Sequence, residues 1–113
     1  MITHCVLLQP KVDLAKVDRR AFVTAFERAV REIPSVRGVR VGVRVKHGAG
    51  YEQGMPDTAE FLATLDFDDL AGLKAYLTHP AHAELGMLFG KSLSSALVYD
   101  FEMGDVQMLE RLI

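Results

Sequence analysis

The sequence predicts an α+β domain in the ferredoxin-like βαββαβ order: a four-stranded antiparallel sheet with both helices on one face. Three observations predict it. The segment VRVGVRVK (39–46) alternates strictly, with Val39, Val41, Val43 and Val45 on one face and Arg40, Arg44 and Lys46 on the other, which is the period of a strand. Between Arg19 and Ile33 the apolar residues Phe22, Ala25, Phe26, Ala29, Val30 and Ile33 recur at spacings of three and four, the period of a helix. Short apolar runs at 2–9, 58–67 and 96–103 supply three more strands, and a second helical pattern lies between the last two.

ITHCVLLQ (2–9) is rich in β-branched and apolar residues and ends at Pro10, which suits a strand with His4, Val6 and Leu8 on one face and Cys5, Leu7 and Gln9 on the other. The polar connection 11–18 offers Asp13 or Asp18 as the cap of the first helix, and Pro34 lies just past the end of that helix. The glycines and proline of HGAGYEQGMPD (47–57) predict a loop. TAEFLATLDF (58–67) then turns Phe61, Ala63, Leu65 and Phe67 to one side, and DDLAGLKAYL (68–77) opens a helix on a capping aspartate. Pro80 interrupts it, and AHAELGMLFGKSL continues as helix before the strand ALVYDFEM (96–103). The tail 104–113 carries Val106, Leu109 and Ile113 at helical spacing and is expected to dock on its own barrel or on that of a partner.

With both helices on one face, the other sheet face is bare. It would hold Cys5 and Leu7 beside Arg40, Arg44 and Glu60, a mixture that needs cover. A second copy closing the two sheets into a dimeric α/β barrel supplies it and protects the sheet edges. Arg40 and Arg44 are expected to pair with carboxylates such as Glu60.

The chain has 113 residues, half of them apolar and a quarter charged, which makes one domain of ordinary globular composition. A net charge of −2 leaves no basic footprint for nucleic acid, and no apolar run reaches the ~20 residues of a membrane span. Cys5 is the only cysteine, so no internal disulfide forms. The N-terminal segment has no basic region of the kind that opens a signal peptide, and a cytoplasmic setting is expected.

Four stretches carry a family resemblance: THCVLL, EIPSVRGVRVG, LATLDFDDLAGLKAYLTHPAH and LVYDFEM. Occurring in this order over residues 2–103, they resemble the stress-responsive A/B barrel domains, so that 1–103 is expected to be the domain and 104–113 an appended tail. The resemblance implies a homodimer, no cofactor and no single activity. One plant polyketide cyclase of the family closes a ring by an aldol step without cofactor or metal, using a tyrosine, two aliphatic residues and His-Pro-Ala-His. Carried onto AYLTHPAH, its base is His82 and its assisting tyrosine is Tyr76, with Thr78 in place of one aliphatic residue. His4 matches a histidine lining that enzyme's pocket, and Phe22 and Phe26 correspond loosely to its pocket aromatics.

Two readings of the YLTHPAH segment follow. A histidine titrates near neutrality and suits a general base, while a tyrosine can hydrogen-bond a carbonyl oxygen as it gains charge. Equally, His82 can hydrogen-bond backbone at the break between helices, and His79, just before Pro80, can cap the turn. Two histidines with no third ligand make a poor metal site, so no metal is expected. A binding site between sheet and helices would use His4, Val6, Leu8, Phe22, Phe26, Ala63, Leu65 and His79 around Tyr76 and His82. The functional readings are a binder of a small apolar or aromatic molecule, a cofactor-free cyclase or lyase, a cofactor-independent monooxygenase, and a structural protein with a filled core. A cavity beside His4, Tyr76 and His82 separates the first three from the last.

Overall fold

The computed structural model describes all 113 residues. Its strands are β1 (Ile2–Pro10), β2 (Gly38–Val43), β3 (Phe61–Phe67) and β4 (Leu93–Glu102). All neighbours pair antiparallel, in the sheet order β2-β3-β1-β4. The helices are α1 (Lys16–Glu32), α2 (Leu70–Leu77) and α3 (Pro80–Ser92).

Register decides which residues share a face, because residues directly opposite point the same way. His4 lies opposite Leu65 and Asp100, Val6 opposite Ala63 and Val98, and Val41 opposite Ala63. That face packs under the helices. Ala25 and Ala29 of α1, Ile33 just past it, Leu73 and Tyr76 of α2, and Ala81 and Leu85 of α3 bury against Val6, Ala63, Leu65 and Phe67.

The helix ends show where local chemistry is explicit. Asp69 caps α2 by accepting the Gly72 N–H at 2.9 Å. Pro80 is the first residue of α3, where its missing N–H has no intrahelical partner to lose. The first helix differs from expectation. It starts at Lys16, with Ala15 at the cap position and no side-chain cap, so neither Asp13 nor Asp18 serves. Asp18 instead sits in the first turn, where its charge complements the helix dipole.

Strand β2 stops at Val43 and β3 begins at Phe61, so the pair is shorter than the alternation predicts, although Arg44 N–H still donates to the Glu60 carbonyl at 2.8 Å. The expected pairing of Arg40 and Arg44 with Glu60 is not formed within the chain. Glu60 lies next to Gln9 and exchanges hydrogen bonds with it, while Arg44 reaches Asp57 at 3.1 Å and Arg40 has no carboxylate partner. Register sets Glu60 just past the last pair on both sides, beside Gln9 and beside Arg44; the Gln9 amide meets it, while the Arg44 guanidinium turns to Asp57.

Two surfaces stay uncovered. The sheet face away from the helices carries Cys5, Leu7, Leu62, Leu97, Tyr99 and Phe101, with the Tyr99 and Phe101 rings 6.3 Å apart. On the helix side, Val39, Val41 and Val43 of edge strand β2 are exposed, because the helices sit over the centre of the sheet. The tail forms a 3-10 helix, Val106–Leu112, capped by Asp105, and Val106, Leu109, Leu112 and Ile113 are all exposed. It is not docked on its own barrel. No helix of the chain is long and apolar enough to cross a membrane.

Candidate functional site

Between the sheet and the helices lies a cavity of about 250 Å³. Strand β1 contributes His4, Val6 and Leu8, because every second residue of a strand faces the same way. From α1 come Phe22 and Phe26, from β3 Ala63 and Leu65, from α2 Tyr76 and Leu77, from α3 His82, Leu85, Gly86 and Phe89, and from β4 Val98. All the residues expected at the site except one line this space. The exception is His79, which caps α3: its Nδ1 accepts the Ala81 N–H at 3.0 Å, satisfying a free donor at the helix start. Its role is the local one, because the residue before a proline is held extended and turns its side chain back onto the new helix.

The polar groups gather at one end. Tyr76 is the hub, with its ring 4.7 Å from that of His82 and 5.7 Å from that of His4, both edge to face, and 5.2 Å from Phe67. It is 2% exposed. Burial alone pushes its hydroxyl up to about 12, so Tyr76 stays protonated across the neutral range. Thr78 ends α2 by donating its hydroxyl to the Lys74 carbonyl at 2.9 Å.

His4 Nδ1 donates to Asp100 Oδ1 at 2.6 Å. A carboxylate accepts and does not donate, so this contact places a proton on Nδ1. Asp100 is the neighbour of the candidate site that sequence reading missed. The signal was available: Leu97, Tyr99 and Phe101 form one row of β4, so Asp100 must share the other face with Val98.

Burial holds the His82 imidazole below its ordinary value. The neighbouring His4 adds to that depression, and the Leu77 carbonyl partly opposes it. His82 is therefore neutral at pH 7, the form a general base needs. The sign of the linked stability follows. A depressed folded value means the unfolded chain takes up a proton first, so His82 favours the fold fully above the unfolded value near 6.5 and progressively less as pH falls. Urea titrations between pH 7.5 and about 5 are expected to show stability falling below pH 6.5, and a His82→Gln chain should fall less steeply. Equal slopes would remove the assigned depression.

Three comparisons bear on what such a site serves. Olivetolic acid cyclase of Cannabis sativa is 22% identical over 100 residues, covering 88% of this chain and 94% of the cyclase. A hydroxynitrile lyase of Passiflora edulis has the same fold with a TM-score of 0.77 at 12% identity, covering 93% of this chain and 94% of the lyase. A dimeric ferredoxin-like protein of unknown function from Thermobifida fusca superposes with a TM-score of 0.69 at 20% identity, covering 90% of each. Proteins of one fold here carry different activities, or none assigned. The family model for the stress responsive A/B barrel domain matches residues 2–103, and this chain belongs to that family.

Proposed function

We propose that the protein binds a compact, largely apolar carbonyl compound in the cavity and carries out cofactor-free proton-transfer chemistry on it, of the cyclase or lyase kind. The observation that carries this reading is a cavity of about 250 Å³ with an apolar wall and a single polar end formed by His4, Tyr76 and His82. That volume is somewhat below the ~300–1,000 Å³ of common small-molecule sites, which favours a ligand of one ring or a short chain.

In this reading His82, neutral at pH 7, removes a proton from the carbon next to the carbonyl. Tyr76 donates its O–H to the carbonyl oxygen as charge builds there, and its high pKa keeps that proton in place. The C–H electron pair moves into the enolate, whose carbon attacks a second carbonyl carbon of the ligand; that C=O π pair becomes an alkoxide, which takes the proton back from His82. In the cleavage direction His82 removes the hydroxyl proton instead, and the carbon–carbon pair leaves with the departing carbanion. His4, fixed by Asp100, borders the same space and orients the ligand's polar end. The likeness to a cyclase and to a hydroxynitrile lyase supports the reaction class, since one name describes a ring closure and the other a lyase reaction.

The protein acts as a homodimer in this reading. Its bare sheet face, with Leu62, Leu97, Tyr99 and Phe101 exposed, is an apolar surface that a second copy covers, and the Thermobifida fusca protein of the same fold is described as dimeric.

A melting-temperature screen with one-ring ketones and aldehydes, against saturated carboxylic acids of equal size, tests the site. At least one carbonyl compound is expected to raise Tm, and Gly86→Leu to abolish the shift. Gly86 borders the cavity, and a Cβ added there meets nothing within 4 Å, so the new side chain has room to enter the cavity. A shift that survives Gly86→Leu would place the ligand elsewhere and overturn the site.

A further inference from the structure

The helix-side row Val39, Val41 and Val43 is an apolar stripe on an edge strand with no cover in its own chain, and Val41 is 61% exposed. The tail presents a second unpartnered row. In a 3-10 helix residues three apart eclipse, so Val106, Leu109 and Leu112 line one edge, and Leu109 is 59% exposed. The two rows match in length: three strand positions at alternate residues span ~13 Å, and three eclipsed positions of a 3-10 helix span ~12 Å.

Charge does not oppose the match: 37–46 carries no acidic residue, and 102–113 carries Glu102, Asp105 and Glu110 against Arg111 alone. Arg37 already meets Asp68, Arg44 and Lys46 meet Asp57, and Arg40 lies on the other face of the strand, so the apolar rows carry the fit.

A chain cannot satisfy its own stripe. The tail leaves the far edge of the sheet after β4, where Met103 N–H is held by the Met1 carbonyl, and β1, β3 and the helices stand between it and β2. A partner can. When two sheets face each other about a twofold axis along the strands, β4 of each chain comes beside β2 of the other, in two identical seams.

We propose that the 104–113 tail of each chain docks on the Val39–Val41–Val43 stripe of its partner, fastening the dimer from outside the barrel. This rests on the homodimer proposed above and says which segment closes it. The occupant of the stripe is a second copy of this chain, and the tail is the part of it that binds.

Two forms of the chain, one enlarged by a tag and both Cys5→Ser, are co-expressed, with Val41→Cys in one and Leu109→Cys in the other. Both positions are exposed, so folding is retained. Mild oxidation is expected to give a mixed covalent dimer containing one of each, and light scattering on the unmodified protein about twice 12.5 kDa. A dimer by scattering with no mixed covalent band overturns the tail docking and leaves the homodimer standing. Covalent pairs of Val41→Cys chains with each other show a β2-to-β2 seam and also overturn it. A species of 12.5 kDa by scattering overturns the homodimer and the docking together.

Discussion

Tyr76→Ala is expected to destabilise the protein by about 3–5 kcal/mol, the range for deleting a buried aromatic ring from a packed core, and Tyr76→Phe to change stability by under about 1 kcal/mol. The first figure follows from position. The ring touches Phe67, His4 and His82 and is almost wholly out of water, so its loss removes contacts on three sides and joins its space to the cavity next to it. The second follows from chemistry: burial alone accounts for the raised hydroxyl value, with no hydrogen bond contributing, so phenylalanine gives up no internal partner. Urea unfolding of the two variants separates the packing role from the polar role. If Tyr76→Phe alone cost several kcal/mol, the hydroxyl would be structural, and its part in charge stabilisation would have to be withdrawn.

His82→Gln should lower turnover of any carbonyl substrate by about 10²–10⁴-fold, the usual share of a positioned general base, while lowering stability by less than about 1 kcal/mol. Glutamine keeps the size and polarity of the position and cannot take up the proton. The small stability cost is expected because the imidazole is half-buried, packs edge to face on Tyr76, and presents to the Leu77 carbonyl a donor that the glutamine amide can replace. The competing role for His82, holding backbone at the junction of α2 and α3, predicts the reverse. A stability loss of about 1–3 kcal/mol from a buried partner left unsatisfied, with turnover little changed, would end the catalytic assignment. The junction has other means of support: Thr78 closes the end of α2, and His79 caps the start of α3.

Much of this was legible in the sequence, and the reasons are local. Strand faces follow from a period of two, so the placement of His4, Val6 and Leu8 under the helices and of Cys5 and Leu7 away from them could be read directly. Caps made by side chains were legible at Asp69. The start of α1 was not, because Ala15 caps it with backbone geometry alone and leaves no residue to recognise. Asp100 and His4 are 96 positions apart, and their meeting depends on the β1–β4 register, which no local spacing encodes. Glu60 was assigned an arginine, and register does set Arg44 beside it; charge pattern does not say which carboxylate the guanidinium takes, and it takes Asp57 while Glu60 meets Gln9. The space enclosed by Tyr76, Leu85 and Phe89 depends on how far α2 and α3 stand off the sheet, a quantity that periodicity does not contain.

Strand β1 lies inside the sheet, and its alternate side chains serve two purposes. His4, Val6 and Leu8 border the cavity, while Cys5 and Leu7 face the other way, onto the surface offered to a second copy. One thickness of backbone separates the two environments. A molecule in the cavity that shifts β1 by a fraction of an ångström moves the partner-facing residues with it, and reciprocity then requires association to change affinity for that molecule by the same factor. In a symmetric pair each β1 belongs to a different cavity, so the seam between copies is also the shortest path along which occupancy of one cavity can be felt in the other. Binding curves measured across protein concentration, with attention to their steepness, are where such communication becomes visible.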